Sequence, residues 1–242
     1  MSLPHFFAGA PEPGETIVLE PDDAHHALRS LRLHEGDELT SSDGRGALVR
    51  ARIVRARHLL VEAEVLQRTT EPPPRPSITV LLSPPKGDRL AWAVQKLTEI
   101  GVDAVVLVEA ARRVRRLRGE RGEQAVERLR GVAREAAKQS RRRFLPSVAG
   151  PIPWAEAVVP DAEATVVLWE GAERGLLQTL PDVAPERLAL AVGPEGGIPE
   201  EDARAVERAG ALLAGLGPAI LRTETAAVVA AAVTLARYGR LG

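Results

Sequence analysis

Two segments near the C-terminus gather residues able to do chemistry: Gly193-Pro194-Glu195-Gly196-Gly197 and Ile220-Leu221-Arg222-Thr223-Glu224-Thr225-Ala226. A carboxylate such as Glu195 or Glu224 can take a proton from a weakly acidic N–H, and an arginine such as Arg222 can stabilise developing negative charge. Glycine adopts dihedrals closed to other residues and lets main chain approach a ligand. The first segment is not a phosphate cradle. Its spacing is neither G-x-G-x-x-G nor G-x-x-x-x-G-K-[ST], it lacks lysine, and Glu195 would repel a phosphate. A cationic or zwitterionic ligand carrying an adenine suits it better; the alternative is a tight turn that merely closes a sheet. Arg222 has its own alternative, a structural salt bridge to Glu224 or Glu195, and either carboxylate, the ligand's partner or water could serve as base.

Positioning these groups takes an ordered framework. Leu188 to Val192 is a short apolar run, the pattern of a covered parallel strand. Pro199 suits the first position of a following helix, Glu200, Glu201 and Asp202 complement its dipole, and Thr223 is the expected N-cap of the last helix. Upstream, Ile78–Leu82, Val102–Val108 and Thr165–Trp169 read as strands. Asp88–Ile100 reads as a helix with Leu90, Ala93, Val94 and Leu97 on one face and Gly101 as its stop, and Gly122–Ser140 as a longer one. Strand–helix alternation predicts an α/β fold, a parallel sheet with covering helices. Clustered prolines from Thr69 to Pro76 mark a linker and divide the chain into residues 1–70 and 71–242. Before the linker lie short alternating runs, an Asp43-Gly44 turn and one helix, Asp22 to Leu31, behind Pro21: the pattern of a small β-barrel with one helix.

The 242 residues carry a formal net charge of −1, so the global balance points to no partner. The distribution does: from Arg112 to Arg143 thirteen arginines or lysines face four glutamates, a stripe suited to nucleic acid or, alternatively, to a solvated helix face. Cysteine is absent, which excludes disulfides and thiolate metal sites and fits the cytoplasm. The start shows no signal-peptide pattern, and the apolar run Ala226–Ala236 is too short to span a bilayer. No H-E-x-x-H or G-x-S-x-G occurs, so neither a metal site nor a serine hydrolase is expected.

The segments GPEGG, LG and ILRTETA together resemble the C-terminal signature of the SPOUT-class RNA methyltransferases, RsmE type, which methylate N3 of one uridine in small-subunit (16S) ribosomal RNA. Similar matches run along the chain: His25 to Leu33, Lys86-Gly87-Asp88-Arg89, Gln95-Lys96, Glu99-Ile100-Gly101-Val102 and Gln139-Ser140-Arg141-Arg142. The resemblance implies a PUA-like RNA-binding β-barrel over residues 1–70 and a SPOUT-type trefoil-knotted domain over 71–242. It implies S-adenosyl-L-methionine as methyl donor, held largely by main chain at Leu168, Trp169 and Glu170; at Gly193, Pro194, Glu195, Gly196 and Gly197; and at Leu216, Gly217, Ile220, Leu221, Arg222, Thr225 and Ala226. Arg222, Glu224 and Glu195 become the catalytic candidates. Arg29, Arg32, Lys86, Arg89, Arg112, Gln139 and Arg142 become candidate contacts to ribosomal RNA, with a surface pairing to glutamate as the alternative for each basic residue and a helix-face amide as the alternative for Gln139. A homodimer in the cytoplasm, without a membrane partner, is also implied. Lys138, Arg141 and Ala111 depart from the family pattern, and each shifts local charge in the positive direction. Ribose 2′-O methylation, or RNA binding without catalysis on the same fold, are the competing readings.

Overall fold

Alternating side chains make long strands of Ala47–Arg57 and Leu60–Thr70: Val49, Ala51 and Ile53 in the first, and Val61, Ala63 and Val65 in the second, are buried. A computed structural model describes residues 3–85, 87–109, 119–158 and 161–241. It divides into two compact units, Met1–Pro73 with Ala137–Leu145, and Pro74–Ala136 with Pro146–Gly242.

The first unit holds β1 (His5–Phe6), β2 (Thr16–Val18), α1 (Pro21–His25), β3 (Glu38–Ser42), β4 (Ala47–Arg57) and β5 (Leu60–Thr70). The strands form one sheet in the order β1-β3-β4-β5-β2, antiparallel except where β1 joins β3. Ala24 and Ala27 pack with the apolar side chains of the sheet, Phe6, Ile17 and Leu39 among them. The single helix predicted from Asp22 to Leu31 is composite: α1 gives way to a π-turn over His26–Ser30, where the Leu31 N–H donates to the His26 carbonyl at 3.1 Å. Thr69 and Thr70, expected in the linker, extend β5 because they pair with Leu48 and Ala47. His5 is buried, with Nε2 3.2 Å from the Arg142 carbonyl and Nδ1 3.0 Å from Thr40 Oγ1. Burial outweighs the bond to Arg142 and pushes the imidazole down from 6.5 to about 4. The unfolded chain therefore binds the proton more readily, and stability is lost as pH falls from 6.5 towards 4. Urea midpoints at pH 7.5 and pH 4 should show this loss, about 2–3 kcal/mol, in the native chain and not in His5→Gln; an equal loss in both would assign the pH dependence to other groups.

The second unit holds β6 (Ser77–Leu82), α2 (Arg89–Ile100), β7 (Ala104–Glu109), most of α3 (Glu120–Gln139), β8 (Ser147–Pro153), β9 (Ala164–Leu168), α4 (Leu176–Thr179), β10 (Arg187–Val192), α5 (Glu200–Arg208), β11 (Leu212–Ala214) and α6 (Thr223–Arg237). Six strands pair in parallel in the order β11-β9-β10-β6-β7-β8. Along β10, Leu188, Leu190 and Val192 point to one face and join residues of α2, α3 and α6. Ala189 and Ala191 point to the other, where Ala203 and Val206 of α5 and Trp154 pack.

The strand order reverses between β6 and β10, since the chain moves from β6 towards β8 and later returns to the opposite side. Crevices outside the carboxyl ends of strands at such a switch point are where open α/β sheets hold ligands. Two capping expectations are corrected. Pro199 stands just before α5, in extended backbone with ψ 142, and Thr223 is the first residue of α6 and makes no capping bond. The Thr223 hydroxyl instead donates to the buried Gly193 carbonyl at 3.1 Å, a partner that tertiary structure supplies and local sequence does not reveal. Strand β8 has no counterpart in the sequence reading; its glycine and two prolines mask a strand pattern. Among the described residues, no helix is long and apolar enough to cross a membrane.

Candidate functional site

Three adjacent parallel strands, β11, β9 and β10, release their chains at the same edge of the sheet, and the loops that follow interlock there. After β9, the Trp169 N–H donates to the Ala214 carbonyl at 3.0 Å and the indole Nε1–H to the Ile198 carbonyl at 3.0 Å. Trp169 thus joins all three loops while 9% exposed. After β11, Gly215 bridges to Gly175, and its N–H donates to the Arg174 carbonyl at 2.8 Å. The Thr223–Gly193 bond fastens the start of α6 to the end of β10.

The glycines of the second loop have separable reasons. Gly197 has φ +76, and a Cβ there would lie 2.5 Å from Glu170 Oε1. Gly193 has an ordinary φ, but a Cβ would strike the side chain of Ile198. A Cβ at Gly196 would meet nothing within 4 Å. Gly217, in the third loop, has φ +103. At Gly193 and Gly197 the missing Cβ is therefore what lets Ile198 and Glu170 pack against the loop.

The three carboxyl and guanidinium candidates are placed unequally. Glu224, in the first turn of α6, is 6% exposed, and its Oε2 has no hydrogen-bond partner among the described residues. Glu195 is exposed on its loop. Neither carboxylate pairs with Arg222. Arg89, at the start of α2, takes both, with Nη1 3.4 Å from Glu195 Oε1 and Nε 3.6 Å from Glu224 Oε1. Arg222 is exposed just ahead of α6, with no ion pair among the described residues. Of the expected donor contacts, Leu168 and Trp169 are buried, Leu216, Leu221, Thr225 and Ala226 half-buried, Glu170 and Gly217 exposed, and Ile220 99% exposed.

Beside these loops an open cavity of about 760 Å³ is lined by Gly87, Asp88, Arg89, Trp92 and Glu195. Trp92 was not among the sequence candidates. The available signal was its place on α2: it falls off the face made by Leu90, Ala93, Val94 and Leu97, on the solvent side where an indole is out of place.

The expected RNA contacts are divided between the two units. Arg29, Arg32, Gln139 and Arg142 belong to the first unit, the first three exposed and Arg142 half-buried, whereas Arg89 belongs to the second. Lys86, Ala111 and Arg112 lie outside the described residues. Lys138, which departs from the family pattern, has a structural partner in the first unit: its Nζ lies 2.5 Å from Asp23 Oδ1, with side chains 14% and 7% exposed.

Comparison with known proteins agrees with this geometry. Residues 71–235 match the RNA methyltransferase domain family and residues 19–66 the RNA methyltransferase PUA domain family. The ribosomal RNA small subunit methyltransferase E of Mycobacterium bovis is 38% identical over 229 residues, 91% of this chain and 86% of that protein. The protein of the same name from Bacillus subtilis is 29% identical, over 90% and 89% of the two chains. The crystal structure of a ribosomal RNA small subunit methyltransferase E from Neisseria gonorrhoeae bound to S-adenosyl methionine superposes with a TM-score of 0.87 at 28% identity, covering 97% of this chain and 98% of that one.

Proposed function

The chain belongs to the RNA methyltransferase family, and from that membership we propose that it transfers a methyl group from S-adenosylmethionine to N3 of a uridine in small-subunit (16S) ribosomal RNA. The observation that carries the reading is the meeting of three loops at the carboxyl ends of β11, β9 and β10, next to the strand-order switch, together with a buried carboxylate with one unpartnered oxygen, Glu224 Oε2. The residues present fit the donor. Gly193 and Gly197 let the loops pack closely around the strand ends, Trp169 fixes the loop after β9, and Glu195 and Glu224 suit a positively charged sulfonium as they would not suit a phosphate. Leu168, Trp169 and Glu170, the Gly193–Gly197 loop, and Leu216 to Ala226 form the cradle in this reading.

When bound, the donor supplies an electrophilic methyl on sulfur. The chain's residues then have three tasks. The loops hold the reacting nitrogen in line, which avoids the entropic cost of a bimolecular encounter. Glu224 accepts the N3 proton, and it is preferred to Glu195 because it is buried and keeps an oxygen without a partner. Arg222, free of both carboxylates, stabilises charge spreading onto the uracil oxygens. Arg222→Ala should lower the single-turnover rate by about 10²–10³-fold with unchanged thermal unfolding; near-normal turnover would remove Arg222 from the mechanism.

The trefoil knot, a homodimer and a cytoplasmic setting belong to the same reading. The order β11-β9-β10, in which the last strand lies beyond the one formed before its predecessor, supports a threaded chain. Arg29, Arg32, Gln139, Arg142, Lys86 and Arg112 would hold the RNA backbone. Incubation with small ribosomal subunits from cells lacking the modification, followed by mass spectrometry of nucleosides, tests the proposal. It should yield 3-methyluridine at one position; ribose methylation, another base, or no product would overturn it.

A further inference from the structure

We propose that Trp92 is the platform on which the target uracil stacks, in the groove it shares with Arg89 and Glu195. The inference rests on the reading that a uridine base is the methyl acceptor. Three tryptophans occur in the chain, and their environments differ: Trp154 is 7% and Trp169 9% exposed, whereas Trp92 is 44% exposed. On α2, Trp92 follows Arg89 by three residues, so both side chains share one face, away from the buried stripe of Leu90, Ala93, Val94 and Leu97. Both line the cavity of about 760 Å³ at the mouth of the loops.

The polar groups around that cavity decide what enters it. Asp88 and Glu195 line it, and Arg89 is already engaged by Glu195 and Glu224. A phosphate would meet two carboxylates and an arginine whose charge is largely offset. A neutral ring bearing an N–H donor meets an aromatic face and carboxylate acceptors instead. Uracil has that chemistry, and unpaired bases in RNA are commonly received on aromatic side chains. Arg89 acts in this arrangement as a positioning residue: it holds the Glu224 carboxylate beside the groove and keeps two acids from repelling each other.

The test compares Trp92→Ala, Trp92→Leu and Trp92→Phe in the full chain, with small ribosomal subunits as substrate. Stacking on an aromatic side chain is worth about 1–3 kcal/mol per base, so kcat/KM for subunits should fall about 5- to 150-fold in the alanine variant. The leucine variant, which keeps apolar bulk without a π-face, should fall with it, and the phenylalanine variant should stay within about threefold of the native chain on the same ground. Affinity for S-adenosylmethionine, measured by calorimetry, should be unchanged in all three. Native efficiency in Trp92→Leu, or losses that track lost donor affinity, would overturn the proposal. If Trp92→Ala does not fold, the Leu–Phe comparison decides. Acrylamide quenching adds a further criterion: the emission removed by Trp92→Phe should be the accessible part of the native signal, and a shielded Trp92 would mean that a second copy covers it, which also overturns the idea. The nucleoside product of the native enzyme reports separately on the uridine-N3 reading.

Discussion

Replacing Glu224 by glutamine should lower methyl transfer by about 10²–10⁴-fold, the range contributed by a placed general base. Glutamine keeps the shape and one acceptor oxygen but cannot take the proton. The residue is 6% exposed and leaves Oε2 without a partner among the described residues, a costly arrangement that a donor group on the substrate would relieve. Its other oxygen lies 3.6 Å from Arg89 Nε, so the carboxylate is held while that lone pair stays available. Single-turnover rates on small subunits, with donor affinity followed by calorimetry, measure the effect. A Glu224→Gln rate within threefold of native would assign the proton to water or to the RNA. Glu195→Gln, on the exposed loop, should lose less than Glu224→Gln, and the reverse order would exchange their roles.

The largest effect on stability is expected at Lys138. Its ammonium pairs with Asp23 in surroundings where both side chains are nearly buried, and Asp23 Oδ2 has no other partner among the described residues. Removing one member of such a pair leaves an uncompensated charge and costs about 3–5 kcal/mol. Lys138→Glu should cost at least as much, because it places two carboxylates side by side. Asp23→Lys combined with Lys138→Glu should recover part of the loss. Urea denaturation of the single and double variants reads this directly, and additive losses without recovery would show that packing matters there more than charge.

Strand–helix alternation in the second unit was legible because buried parallel strands are short apolar runs, as in Leu188–Val192, and because Leu90, Ala93, Val94 and Leu97 recur at helical spacing. The loops GPEGG and RTET stand out in the sequence through residue type, and the structure sets them after β10 and at the start of α6. Their partners were not legible there. Thr223 looked like a cap until Gly193 offered a buried carbonyl, and the alternative partner for Arg222, a salt bridge to Glu224 or Glu195, is taken by Arg89, more than a hundred residues away in sequence. Lys138 read as extra charge for RNA, whereas its partner is Asp23. Pairings of this kind depend on which distant elements meet, and neither period nor composition encodes that.

The last turn of α3 and the chain as far as Leu145 belong with the first 73 residues, not with the segment that surrounds them in sequence. That short return supplies Lys138 to Asp23, a carbonyl to His5 and another to Ser42. A fragment cut at the proline cluster would leave an aspartate without its cation and two polar groups without acceptors. The N-terminal module is consequently not portable as a simple block. Shuffling it between enzymes would require carrying a nine-residue stitch from the middle of the gene as well.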